Sequence, residues 1–360
     1  MKKYFGFKNR KGSTIRYLYK LETSKSKSGN KIVFWLMGFA LLFGVSFWYV
    51  IIAGAPQFDG PQQWGLRNKL SYQLETYQSQ AMGEERTYGV CLPPGYGRNL
   101  HQHYPVVFLL HGGHGNPTDW FKKAAALSTI EELYAKGKFP PSIIITPDGN
   151  DLRGSSPFFD PQYIDGPNGQ VSTAIGDELV KLVQNRYRTL PSPAFWAMGG
   201  LSSGGWGALN IGLHHLNHFS VLFSHSGYFT DQSGAENSPS LYIKKIPQAA
   251  RSHLRIYLDA GEQDGKYLDE TQRFATVLEQ LQVEHVMYSF PGGHGLMGAN
   301  SLWNYWHKHL ADSLTYVGKQ FHQAKLCLDA EKPGIHLHRP SPGSCPQNQT
   351  HRGRFLNVEI

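Results

Sequence analysis

Apolar and polar positions divide the chain into regimes with different periods. Ile32 to Ala55, "IVFWLMGFALLFGVSFWYVIIAGA", runs 24 residues without a charge. As a helix it would extend about 36 Å, against a hydrocarbon core of about 30 Å. Residues 56–67, rich in Pro, Gly and Gln, read as a linker. Beyond them, "LSYQLETYQS" and "RTYGVCL" alternate around a turn and predict a hairpin. Short continuous apolar runs then recur at 105–113, 142–149, 194–200, 221–227, 254–261 and 285–293. Strands of this kind are buried on both faces, as in a parallel sheet. Segments of helical period such as "STAIGDELVKLVQNRYRT" and "DETQRFATVLEQLQV" lie between them. Strand–helix alternation predicts an α/β fold, a mostly parallel doubly wound sheet whose strands' C-terminal ends share one edge. A last helix over "SLWNYWHKHLADSLTYVG" closes a domain drawn at 68–318, and residues 319–360 form a Pro/Gly/His-rich tail.

Charge changes the picture only at the N-terminus. The chain of 360 residues has a formal net charge of +8, but residues 1–31 hold ten Lys or Arg against the single acid Glu22. The remainder carries 25 basic and 26 acidic residues, which gives no reason to expect nucleic acid as a partner. The basic tail at 1–31 and the aromatic residues Trp35, Trp48 and Tyr49 predict a transmembrane signal-anchor helix at 32–55, with a cytoplasmic N-terminus and an extracytoplasmic body. The alternative is a signal peptide cut after Ala53-Gly54-Ala55, although Pro56 would follow the cut. An exported body would permit a disulfide between Cys327 and Cys345, while Cys91 falls in a strand. His336 and His338 lack companions at zinc spacing, and no metal or organic cofactor is expected.

The candidate chemistry lies in "AMGGLSSGGWGALN". An apolar strand leads in and a helical pattern leads out, which is the setting of a nucleophile elbow, G-x-S-x-G. Gly200 and Gly204 frame Ser202, and the Ser203 amide at a helix N-terminus is an oxyanion donor. A serine needs a base oriented by a third group, in the chain order Ser, acid, His for this fold class. Asp259, Glu262 and Asp264 compete as the acid. Asp264 lies in the loop beyond the strand, where its side chain can turn back. His294 occupies the loop after the final strand, "FPGGHG". The second oxyanion amide is expected from "HGGH" after the early strand, at Gly113. Trp120, Trp206, Phe158 and Phe159 are expected near the cleft.

With these motifs in order, the chain resembles the esterase family of α/β-hydrolases that includes feruloyl esterases, S-formylglutathione hydrolases and mycolyltransferases. The matching stretches run from "VCLPPGY" through "GGLSSGGWGAL" and "DAGEQD" to "FPGGHG". The resemblance implies an α/β-hydrolase fold with Ser202 as nucleophile, Asp264 as acid, His294 as base and the Gly113 and Ser203 amides as oxyanion hole. It implies a small-molecule, glycan or lipid ester substrate. Two features depart from the family: Ser203 stands where methionine is frequent, and the tryptophan expected just after the histidine is delayed to Trp303. An acyltransferase passing the acyl group to a sugar or lipid hydroxyl is the rival enzyme reading. A catalytically silent, anchored binding module is the rival outside catalysis.

Overall fold

The computed structural model describes residues 6–8, 14–16, 27–48, 57, 59–61, 69–155 and 163–330. The chain divides into two units, Met1–Val50 and Ile51–Ile360. In the first, Gly6–Lys8 pairs antiparallel with Thr14–Arg16, and a helix spans Lys27–Phe47. Its apolar side chains are uncovered: Phe34 and Phe43 are each 74% exposed. Among the described residues no helix is long and apolar enough to cross a membrane. The expected span of 32–55 continues past Trp48 into residues outside the description, where most of the basic tail and residues 56, 58 and 62–67 of the linker also lie.

The second unit is built on an eight-stranded sheet: β1 Tyr72–Ser79, β2 Glu84–Cys91, β3 Val106–Leu110, β4 Ile143–Pro147, β5 Trp196–Leu201, β6 Val221–His225, β7 Arg255–Gly261 and β8 Glu284–Phe290. Its spatial order is β1-β2-β4-β3-β5-β6-β7-β8. The β1–β2 and β2–β4 pairings are antiparallel and all others are parallel, the arrangement of an α/β-hydrolase sheet. Every residue of β3, β4, β5 and β6 is buried, which is why these segments read as unbroken apolar runs rather than alternating ones. Each fully buried Val, Leu, Ile or Phe there contributes roughly 1.5–3 kcal/mol.

Four helices frame the sheet: α1 Ala126–Ala135, α2 Ser203–His214, α3 Lys266–Gln280 and α4 Trp303–Ala330. Helix α2 packs on β5 and β6, α3 on β7 and β8, and α4 on β6, β7 and α1. The helical segment predicted around 172–189 opens into a wider π turn over Ala174–Leu179 before Val180–Arg186. There Glu178 accepts the amides of Gln80 and Ala81 and the hydroxyl of Ser79, tying down the β1–β2 turn.

The last helix runs beyond the boundary drawn at 318. Helix α4 continues to Ala330 because Phe321, Ala324 and Cys327 keep its buried face going, with Phe321 stacked on Phe139. Cys327 is disulfide-bonded and Cys91 is free and buried. Cys345, His336 and His338 lie outside the described residues.

Candidate active site

Strand β5 delivers Ser202 to the sheet edge in a conformation that only a tight turn enforces. Its φ of 52° and ψ of −121° are unusual for a residue with a Cβ, and such strain costs on the order of 1–3 kcal/mol. Backbone bonds hold it there: the Ser202 N–H donates to the His225 carbonyl at 2.9 Å, and the Ser202 carbonyl accepts from Gly205 and Trp206. The flanking glycines have no alternative. A Cβ on Gly200 would lie 2.4 Å from the Gly204 carbonyl oxygen, and one on Gly204 would lie 2.3 Å from that of His111. Helix α2 begins at Ser203, so the free N–H groups of its first turn gather beside the Ser202 hydroxyl.

After β8, Gly292 and Gly293 turn the chain with φ of 111° and 133°. A Cβ on Gly293 would sit 2.3 Å from an Asp264 carboxylate oxygen. The stripped backbone lets His294 and Asp264 meet. The imidazole Nε2 is 2.9 Å from Ser202 Oγ, and Nδ1 is 2.7 Å from Asp264 Oδ1. A carboxylate only accepts, so Nδ1 carries the hydrogen and Nε2 is left to accept from the serine. Asp264 Oδ1 also accepts the His294 amide, at 2.6 Å. Its Oδ2 accepts the Gly261 amide at 2.9 Å and the Ser226 hydroxyl at 2.5 Å. Burial works to raise the Asp264 pKa, but the hydrogen bond and charge of His294, then the Ser226 hydroxyl and the His294 amide, outweigh it. The carboxyl is thereby held below the usual carboxylate range.

The competing acids are elsewhere. Asp259 is fully buried and bonded to His225, and Glu262 is exposed. Two rings fix the imidazole plane: Tyr267 stacks on His294 at 4.2 Å and Trp306 meets it edge-on at 5.3 Å. Trp303, to which the family's tryptophan is delayed in sequence, packs against Trp306 at 5.0 Å, so Trp306 is the tryptophan that meets the imidazole.

The loop after β3 closes the opposite side. A Cβ on Gly112 would lie 2.6 Å from Leu201 and 3.5 Å from the Ser202 Cβ, so this loop passes directly over the elbow. His111, buried beneath it, accepts the Gly149 amide at Nε2 and therefore donates from Nδ1 to the Gly112 carbonyl at 2.9 Å. Tyr163 donates its hydroxyl to the His111 carbonyl at 2.7 Å. Gly113 follows, partly exposed at the rim of the cleft. Among the described residues neither the Gly113 nor the Ser203 amide has an acceptor.

Trp120 and Trp206 are core residues rather than cleft walls. Trp120 is 1% exposed with its N–H on the Leu110 carbonyl, and Trp206 is bonded to the Asn237 carbonyl and stacked on Tyr228. Phe158 and Phe159 lie outside the described residues. Beyond His294, Leu296 and Met297 are exposed as an apolar lip. The loop carrying them is strapped from the linker side: Asp59 accepts the Gly298 amide at 2.8 Å, and its carbonyl accepts from Asn304 at 2.7 Å. Sequence reasoning missed Ser226, Tyr267, Trp306, His111 and Asp59. Ser226, His111 and Trp306 stood in segments already marked, "VLFSHSG", "HGGH" and "SLWNYWHKHLADSLTYVG", and Asp59 in the linker, but nothing in those segments assigned them to the site.

A half-buried hydroxyl bonded to an imidazole, an imidazole bonded to a carboxylate, and the unengaged amides of Ser203 and Gly113 together suit acyl transfer. Comparison with known proteins agrees. The family model described as "Putative esterase" matches residues 79–317. An uncharacterized protein of Corynebacterium glutamicum is 30% identical over 249 residues, covering 64% of this chain and 56% of that protein. An endo-1,4-beta-xylanase/feruloyl esterase of Xylanibacter ruminicola is 29% identical over 203 residues, covering 55% of this chain and 25% of that protein. The chain thus spans about half of one relative and a quarter of the other. A ferulic acid esterase structure aligns with a TM-score of 0.62 at 25% identity, covering 70% of this chain and 99% of that one.

Proposed function

This chain belongs to the esterase family, and from that premise we propose that it is a serine carboxylic ester hydrolase whose triad is Ser202, His294 and Asp264. The observation that carries the reading is the unbroken relay from Ser202 Oγ through His294 to the buried Asp264, with steps of 2.9 and 2.7 Å. Ser202 Oγ attacks the ester carbonyl while His294 Nε2 takes its proton. Asp264 stabilises the imidazolium that forms and keeps its ring oriented. The amides of Gly113 and Ser203 receive the oxyanion. Nε2–H then protonates the departing alcohol, and water repeats the sequence on the acyl-enzyme.

For the acyl group we favour an aromatic acid of the ferulic type. The support is the name borne by the ferulic acid esterase structure and the xylanase relative, together with the apolar lip of Leu296 and Met297 beside His294. Anchoring remains part of the proposal: the uncovered side chains from Ile32 to Trp48 suit a lipid environment, with the body on the extracytoplasmic side.

A fluorophosphonate probe is expected to label the wild type and not Ser202→Ala. Equal labelling would remove the assignment. Feruloyl, acetyl and long-acyl esters compared at equal concentration test the acyl preference, and faster turnover of the long-acyl ester would reverse it. Carbonate-resistant sedimentation with membranes tests the anchor.

A further inference from the structure

Behind the site lies a second Ser–His–Asp chain that the reaction does not touch. His225, the last residue of β6, is fully buried. Its Nδ1 is 2.7 Å from Asp259 Oδ2 and its Nε2 is 2.9 Å from Ser313 Oγ on α4. Tyr305, also on α4, donates its hydroxyl to Asp259 Oδ1 at 3.0 Å. His225, Asp259 and Ser313 are each 0% exposed, so no ester reaches this hydroxyl and it is not a second catalytic centre. A buried carboxylate and imidazole are tolerated only when fully bonded, and these are bonded at every polar atom.

What the imidazole anchors is a corner of backbone between the nucleophile and the acid. The His225 carbonyl accepts the Ser202 N–H at 2.9 Å. The next residue, Ser226, holds a φ of 51°, a region that residues with a Cβ seldom adopt. Its N–H donates to the Asp259 carbonyl at 2.7 Å, and its hydroxyl donates to Asp264 Oδ2. One dipeptide therefore touches the backbone of the nucleophile and the carboxylate of the acid. Its place is set by a ring clamped between β7 and α4. The same helix α4 supplies Trp306 to the edge of His294.

Resting on the serine-esterase reading above, we propose that His225 is a positioning residue for the reaction. Held by Asp259 and Ser313, it fixes the His225–Ser226 corner, so that Ser226 keeps the Asp264 carboxylate in the rotamer that orients His294. Loss of the clamp frees the corner, the carboxylate turns about its own axis, and the relay to Ser202 lengthens. Misplacement of a reacting group by about 1 Å can cost on the order of a hundredfold in rate.

The test measures kcat and KM on a small aryl ester, with kcat expressed per site titrated by a fluorophosphonate. Ser226→Ala and His225→Leu are expected to lower kcat by about tenfold or more with KM within twofold. His225→Asn, which restores a donor towards Asp259, is expected to recover part of that loss. Adding Ser226→Ala to His225→Leu is expected to cost little more, because both break one chain of contacts. A purely structural role would lower the fraction of titratable sites and leave kcat per site unchanged, and that result overturns the proposal. If His225→Leu does not fold, Ser226→Ala and Ser313→Ala, each removing one hydroxyl, carry the same comparison. Wild-type protein that the probe does not label would instead remove the esterase reading itself.

Discussion

Replacing Asp264 with Asn changes one atom and tests the site more sharply than removing the side chain. The carboxylate accepts four hydrogen bonds: the His294 amide and Nδ1 at Oδ1, and the Gly261 amide and the Ser226 hydroxyl at Oδ2. An amide offers one acceptor atom and one donor atom, so one of these pairs must face an NH2 group. If the NH2 occupies the Oδ1 side, it opposes the fixed His294 N–H, and the imidazole is driven to the tautomer with hydrogen on Nε2. Ser202 then loses its base. If it occupies the Oδ2 side, it opposes the fixed Gly261 N–H. The tautomer survives there, but the negative charge that stabilises the imidazolium is gone. The first arrangement predicts a fall in kcat of about 10⁴-fold, the cost of the wrong tautomer, and the second lowers kcat through the lost imidazolium stabilisation. Either also leaves a buried donor unpaired, at about 1–3 kcal/mol of stability.

The pH dependence adds a signed check. Asp264 has its folded-state pKa depressed, so its contribution to stability is full above the unfolded value of about 4 and is lost as pH falls through the lower folded one. The stability gap between wild type and Asp264→Asn, read from urea unfolding, should therefore be widest at neutral pH and close below about pH 4. Stopped-flow acylation by an aryl ester, with urea melts at several pH values, makes the comparison. Turnover of Asp264→Asn within tenfold of wild type would refute the assigned acid. A stability gap that widens on acidification would refute the hydrogen-bond reasoning.

Two further perturbations probe the frame around the site. Gly204→Ala would drive a Cβ to 2.3 Å from the His111 carbonyl oxygen and 2.4 Å from that of Leu110; both are backbone, so urea melts should show a loss of at least about 1–3 kcal/mol. An unchanged midpoint would mean that the elbow is not packed as described. Asp59→Ala removes the acceptor of the Gly298 amide on the loop that follows His294. It is expected to lower kcat by up to about tenfold while leaving the melting temperature nearly unchanged, and wild-type turnover would show that the strap does not hold the loop.

How far the sequence could be read depended on whether the deciding forces were local. The runs at 105–113 and 221–227 became β3 and β6 because two-sided burial writes itself as continuous apolar sequence. The elbow was legible because Gly200 and Gly204 exclude a Cβ on both sides of Ser202. Long-range packing was not legible. Trp120 and Trp206 looked like cleft walls, yet one caps the Leu110 carbonyl and the other the Asn237 carbonyl inside the core. Trp306 faces His294 while Trp303 turns away, a difference that follows from where α4 starts its first turn. The end of α4 at Ala330 was hidden because its buried positions beyond 318, Phe321, Ala324 and Cys327, form a narrow stripe that runs straight into the Pro/Gly/His-rich tail.

The choice of acid shows why side-chain chemistry alone could not finish the reading. Asp259 and Asp264 lie five positions apart at the end of one strand, and each has a histidine and a serine in relay with it. The two relays have the same step lengths, 2.7 and 2.9 Å, so hydrogen-bond geometry does not separate a reactive triad from an inert one. Access and surroundings do. Ser313 sits at 0% exposure with its oxygen also near the Leu310 carbonyl, whereas Ser202 stands at a strained, half-open turn beside the unengaged amides of Ser203 and Gly113. A hydroxyl without room for an acyl group, and without donors where the oxyanion would form, has no lowered barrier however well its base is held. The buried relay is then free to serve stiffness. By bonding β6, β7 and α4 through His225 it offsets the strain stored at Ser202 and Ser226, and it keeps the outer relay at working distance before substrate arrives.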